Sequence, residues 1–121
     1  MKIRHLIIIV SAFIVLAGCA APKPHYYYGN YTESQLAYVK EPGDETLKLK
    51  VAAIEDIIAK VEEESTSKRV PPGIYADLAY LMALSGKNKE AITFFNKEKE
   101  IYPESSLFVD KMVNKISPTV K

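Results

Sequence analysis

From Leu47 onward the apolar residues return at steps of three and four: Leu47, Val51, Ile54, Ile58 and Val61, with Ile57 widening the stripe. A helix brings a side chain back to the same face about every 3.6 residues and a strand every second one, so this spacing commits the segment to a one-sided helix. The pattern recurs downstream. Ile74, Leu78, Leu81 and Met82 point one way together with Tyr75 and Ala79, and Gly86 stands where a left-handed cap would stop that helix. Lys87-Asn88-Lys89 turns the chain, and Ala91, Ile92, Phe94, Phe95 and Ile101 form the next stripe, closed before Pro103. Residues 104–116 offer a last helix, with Phe108, Val109, Met112, Val113 and Ile116 on one face and Ser117-Pro118 as its stop. Upstream, Thr32-x-x-Gln35 has the spacing of a capping box and would open a short helix over residues 34–40, ended by Pro42-Gly43. Asp44 is placed to cap the long helix, and Val70-Pro71-Pro72-Gly73 to enter the following one with proline near its first turn. Glu62-Glu63-Glu64 reads as a solvated helix end, because neighbours in a helical sequence point in different directions and chelate poorly. The expected fold class is all-α, a small stack of about four helices with no sheet.

The first residues follow a different logic. Met1-Lys2-Ile3-Arg4-His5 is basic, residues 6–16 are apolar, and Ala17-Gly18-Cys19 follows. This is the order of a secretory signal. Eleven residues would span about 16 Å as a helix, well short of the roughly 30 Å hydrocarbon core, so a permanent transmembrane helix is the weaker reading. Leu16-Ala17-Gly18-Cys19 resembles a bacterial lipobox at all four positions, and Cys19 is the only cysteine in the chain. That resemblance implies cleavage between Gly18 and Cys19 and a covalent lipid on the Cys19 sulfur. Each buried methylene contributes about 0.8 kcal/mol, so two or more acyl chains anchor stably where one holds marginally. Ala20 stands where an aspartate commonly signals inner-membrane retention, which implies the outer membrane, with the protein facing the periplasm.

Loss of residues 1–18 removes Lys2 and Arg4 and leaves 14 basic against 15 acidic side chains, a net −1. Nucleic acid is then no natural partner, since phosphate binding needs a clustered cationic surface. After the signal, residues 19–32 read as a lipid-anchored tether and residues 33–117 as the helical domain. Ala20 and Ala21 begin a stretch with Pro22 and Pro24 that lacks periodicity and reaches roughly 20 Å. Tyr26-Tyr27-Tyr28-Gly29-Asn30-Tyr31 then places four tyrosines in six residues. A tyrosine has an apolar ring and a polar tip, so these rings suit three settings: folded back over the helices, against a partner protein, or at lipid headgroups. Asn30 beside Gly29 allows a tight turn between them.

Tyr75-x2-Leu78-Ala79-x2-Met82, then Ala91-x3-Phe95, then Pro103, resembles the tetratricopeptide repeat, a helix–turn–helix of about 34 residues. Small Ala79 and Ala91 would let the two helices approach while Tyr75, Leu78 and Phe95 fill the seam; Glu98 departs from the pattern, which usually has a small residue there. The resemblance implies a right-handed helical stack in which the flanking helices cap a single repeat. A second resemblance covers nearly the whole mature chain. Tyr28-Gly29-Asn30-Tyr31, Pro71-Pro72-Gly73-Ile74-Tyr75-Ala76 and Glu98-Lys99-Glu100-Ile101-Tyr102-Pro103-Glu104-Ser105 resemble the lipoproteins of domain-of-unknown-function family 4810. Such proteins tend to be encoded beside a lipoprotein similar to the curli secretion channel and a third small lipoprotein. That neighbourhood implies an envelope assembly with other lipoproteins as partners; the family brings no established activity.

Catalysis has little to draw on. The only mature histidine is His25, Asp56, Asp77 and Asp110 fall on separate helices, and no Gly-rich phosphate loop or metal-ligand spacing occurs. The expectation is a non-enzymatic assembly factor with no cofactor beyond the lipid, no metal and no small-molecule substrate. Partner-binding candidates are Tyr26, Tyr27, Tyr28 and Tyr31 in the aromatic segment, and Tyr80, Lys87 and Lys89 on the repeat. Contact through the helical groove or through the aromatic segment are the two alternatives.

Overall fold

The long stripe folds as the long helix. In the computed structural model, which describes residues 25–64 and 69–119, Asp44–Glu63 forms α2. Before it lies α1, Tyr31–Lys40; after it come α3, Ile74–Leu84, and α4, Asn88–Ile101. A 3₁₀ turn, Pro103–Ser105, leads into α5, Ser106–Ile116, and a second 3₁₀ turn, Ser117–Thr119, follows. The described residues form five α-helices and no strand, so the architecture is all-α.

Two apolar clusters hold these rods together. Ile54 and Ile57 of α2 meet Ile74, Tyr75, Leu78 and Leu81 of α3, with Val70 closing the cluster. On the other side of α3, Ala79 joins Phe95 of α4 and Val109 of α5, flanked by Met112, Val113 and Ile116. Helix α3 is thus enclosed from two sides, which is why nearly its whole circumference is apolar. Its seam with α4 is the most extensive in the molecule. Ala79 and Ala91 are both fully buried there, and their small size is what lets the two backbones come close.

The helix ends explain where the boundaries shift from expectation. Thr32 and Gln35 form no capping box: α1 begins earlier, at Tyr31, with Asn30 at its N-cap and no side-chain cap. The Tyr31 amide donates to the Tyr28 carbonyl instead, and the Ser34 hydroxyl donates to the Tyr31 carbonyl. Asp44 is the first residue of α2 rather than its cap; Gly43 takes that place and its amide donates to Thr46 Oγ1 at 3.1 Å. Pro71 and Pro72 lie ahead of the N-cap of α3, which is Gly73 at φ 87. Gly86, at φ 77, ends α3 as expected: its amide donates to the Ala83 carbonyl and that of Lys87 to the Met82 carbonyl, the paired bonds of a Schellman motif. Phe108 lies half-exposed at the edge of the α5 stripe, with its ring edge-on to Phe95 at 6.2 Å.

Glu98 resolves its own departure from the repeat pattern. Its side chain is 2% exposed, and Oε1 accepts the Gly73 amide at 2.7 Å. A carboxylate of α4 therefore caps the N-terminus of α3, where unpaired amides and the helix dipole both favour negative charge. A small residue at position 98 would leave that amide without its acceptor.

Candidate functional site: a tyrosine-rimmed groove

The aromatic segment folds back over the helices. Tyr27 reaches α2, where its hydroxyl donates to Asp56 Oδ2 at 3.0 Å and accepts from Lys60 Nζ at 3.0 Å. The same ammonium sits 4.9 Å from the Tyr27 ring centroid. The hydrogen bond with Tyr27, and then the Asp56 carboxylate, push the Lys60 pKa up, so this exposed cation stays charged through the ordinary pH range. Gly29 makes the approach feasible. It sits at φ +46, and a Cβ there would lie 3.0 Å from the Tyr27 hydroxyl and 3.2 Å from Asp56 Oδ2.

Tyr31 goes deeper. Its hydroxyl donates to Asp77 Oδ2 of α3 at 2.9 Å, and the Lys50 ammonium of α2 lies 2.9 Å from both oxygens of the same carboxylate. Lys50 is only 4% exposed and faces the Tyr38 ring of α1 at 5.5 Å. Three helices are joined at this one acidic group. Burial first, and then the Asp77 charge, push the Tyr31 phenol up to about 12. At the other end of the segment the Tyr102 hydroxyl donates to the Val70 carbonyl at 2.6 Å. Burial above all, with the neighbouring Tyr26 hydroxyl second, raises the Tyr102 pKa. Tyr28 is the open ring of the four, 43% exposed and 6.4 Å from the rings of Tyr26 and Tyr31.

Between α1 and α2 runs an open groove of about 860 Å³. Half-buried Ala37 and buried Ala53 form its floor, with exposed Ala52, Leu49 and Glu33 above them, and Tyr27, Asp56 and Lys60 complete the lining. A smaller hollow of about 450 Å³ lies on the far side of α2, lined by Val61, Glu62, Arg69, Val70, Tyr75 and Ile101. The groove offers an apolar floor, two carboxylates, one ammonium and a phenol. Such a lining can give both apolar contact and hydrogen bonds. Among the described residues no three His, Cys, Asp or Glu side chains gather as a metal set, and no helix is long and apolar enough to cross a membrane.

Of the candidates read from sequence, Tyr27 lines this groove, while Tyr26, Tyr28 and Tyr31 extend from its end toward Tyr102 and Asp77. Tyr80 is half-exposed on α3, Lys87 is the exposed N-cap of α4 and Lys89 lies in its first turn; none of the three lines the groove. Gly18 and Cys19 lie outside the described residues. Sequence reasoning missed Lys50, Asp77 and Glu98 as paired groups. A signal existed for two of them: Lys50 falls three residues after Leu47, inside the buried arc of α2, and Glu98 falls three after Phe95.

A family model described as Domain of unknown function (DUF4810) matches residues 25–112, which takes in the aromatic segment, the groove and most of α5. No curated protein and no solved structure matches the chain.

Proposed function

The chain belongs to the DUF4810 family, and from that premise we propose that it is a lipid-anchored envelope protein that holds other proteins rather than transforming molecules. In this reading Gly18 and Cys19 flank the cleavage site, the Cys19 sulfur carries the acyl chains, and the outer membrane presents the protein to the periplasm. Its helices form a right-handed, tetratricopeptide-like stack, and its partners are neighbouring envelope lipoproteins, one of them similar to the curli secretion channel. The reading assigns it no cofactor, nucleic acid or small-molecule substrate.

The observation that carries the binding role is the open groove between α1 and α2, floored by alanines and rimmed by a phenol whose position Asp56 and Lys60 already fix. A rim ordered before contact loses less entropy on binding than a loose one. A second reading places the contact on the aromatic segment itself, and the exposed Tyr28 ring favours it.

Deleting the segment cannot separate the two, because Tyr31 is also a structural residue of α1. Point changes can. Ala52→Arg fills the groove from an exposed position, and Tyr28→Ala removes the open ring. After crosslinking in native membranes, loss of the co-purifying lipoprotein with the first change alone supports the groove, and loss with the second alone supports the segment. Retention with both changes refutes both surfaces. Palmitate labelling abolished by Cys19→Ser tests the anchor; a processed, membrane-bound protein that never takes up label overturns it.

A further inference from the structure

Helix α1 carries its aliphatic side chains on the outside. Leu36 and Val39 are its only aliphatic residues larger than alanine, and they are 52% and 63% exposed. Its inner face is held instead by buried Ser34, by the Tyr31 hydroxyl on Asp77 and by the Tyr38 ring beside Lys50. A helix that had only to pack onto α2 would show the opposite pattern, apolar inside and polar outside. Three residues apart, Leu36 and Val39 are neighbours on one face, with exposed Thr32 in line one turn earlier. Neither aliphatic residue lines the groove, which α1 borders with Glu33, Ser34 and Ala37.

Tether length selects what meets this face. Cys19 lies six residues before His25, which limits the separation between the sulfur and the start of the folded part to roughly 20 Å. The chain enters α1 six residues later, through the turn closed by the Tyr31 amide on the Tyr28 carbonyl. Leu36 and Val39 then fall about 8 and 12 Å along the helix from Tyr31. An acylated Cys19 therefore keeps α1 beside the bilayer, whereas α5, with its exposed Leu107, packs on α4 at the other end of the stack. Residues 25–64 carry nine acidic and four basic side chains, a net −5, so this end gains nothing from anionic headgroups and the contact is apolar. Two partly exposed aliphatic side chains would hold a free domain poorly. A short tether makes the docking intramolecular and raises the effective concentration.

We infer that α1 lies along the membrane surface with Leu36 and Val39 seated between the lipid headgroups, so that the anchored domain is oriented as well as held. The inference rests on acylation of Cys19 and adds to it a second contact with the same bilayer.

The test uses the mature, acylated chain in phosphatidylcholine vesicles. Acylation consumes the only native thiol, so Leu36→Cys, Val39→Cys and Leu107→Cys each take one fluorophore at one place. Brominated acyl chains are expected to quench the labels at Leu36 and Val39 at least about threefold more than the label at Leu107, and aqueous iodide the reverse. High salt leaves that difference in place, since no ion pair carries it. In a Thr32→Cys chain, adding Leu36→Glu and Val39→Glu lifts the face off the lipid, and the label becomes as open to iodide as the one at Leu107. An unchanged helical spectrum shows that these exposed substitutions keep the fold. Shielding at Thr32 that survives the glutamates overturns the inference. So does shielding that vanishes at low copy number per vesicle, which makes a second copy the occupant. A chain that floats with the vesicles while its Leu36 and Val39 labels respond like that at Leu107 overturns the docking alone. A chain that takes up no palmitate and does not float overturns the anchor, and this docking with it.

Discussion

Helices α1 and α5 are nearly equal in length and each lies at one end of the stack, yet they are held by opposite means. The residue that α1 buries is Ser34. Its attachment runs through the Tyr31 hydroxyl to Asp77 and the Tyr38 ring beside Lys50. The residue that α5 buries is Val109, and Met112, Val113 and Ile116 extend the contact toward Ala79 and Phe95. Apolar contact grows with area and tolerates exchange among side chains of similar volume. Polar attachment at a buried charge fails as a whole when one member is lost. Two rods of similar length thus respond to quite different perturbations.

The sharpest way to break this contrast is Asp77→Ala, which strands the Lys50 ammonium in the interior. It is expected to cost about 3–5 kcal/mol in urea unfolding followed by circular dichroism. A loss near that of an ordinary surface change would show that α1 does not depend on the charge. Val109→Ala, the matching cut at the other end, removes two carbons and leaves a small cavity, for about 2 kcal/mol. Replacing the whole polar set together, Lys50→Met with Asp77→Leu and Tyr31→Phe, is expected to leave stability within about 1 kcal/mol of the parent, since no buried group is then left unpaired. A loss as large as that of Asp77→Ala alone would mean the polar set does more than satisfy itself.

Alkaline pH reaches the α1 end through Tyr31. An unfolded Tyr31 ionises near 10.0 and the folded one near about 12, so the contribution of this phenol is complete below 10 and disappears as pH rises to 12. The loss is expected to stay below about 1 kcal/mol after solvent screening of a half-buried group, and Tyr31→Phe abolishes it. Smallest of all is Tyr28→Ala, expected within about 0.5 kcal/mol because the ring is open to solvent; a larger cost would make Tyr28 a brace rather than a surface.

The same contrast decides what could be read from the chain. Helix α5 was legible because Val109, Met112, Val113 and Ile116 repeat at helical spacing, and α2, α3 and α4 declare themselves in the same way. Helix α1 has no such stripe, so the sequence points to Thr32 and Gln35 for its start, whereas the fold begins it at Tyr31, whose hydroxyl bonds a residue 46 positions away. Long-range polar pairs leave no periodic trace. The four tyrosines stood out by composition, but which of them are fastened depends on where Asp56, Lys60, Asp77 and Tyr102 arrive in space. The groove itself was invisible, because alanines at positions 37, 52 and 53 carry no pattern until two helices face each other.

The Glu98 carboxylate has a consequence for the order of events as the chain is made. The amide it accepts belongs to a residue 25 positions earlier, at the opening of α3. That first turn therefore stays incomplete until the nascent polypeptide has delivered α4 and bent it back. The Gly73 amide should then exchange its hydrogen no faster than Glu98 lets go.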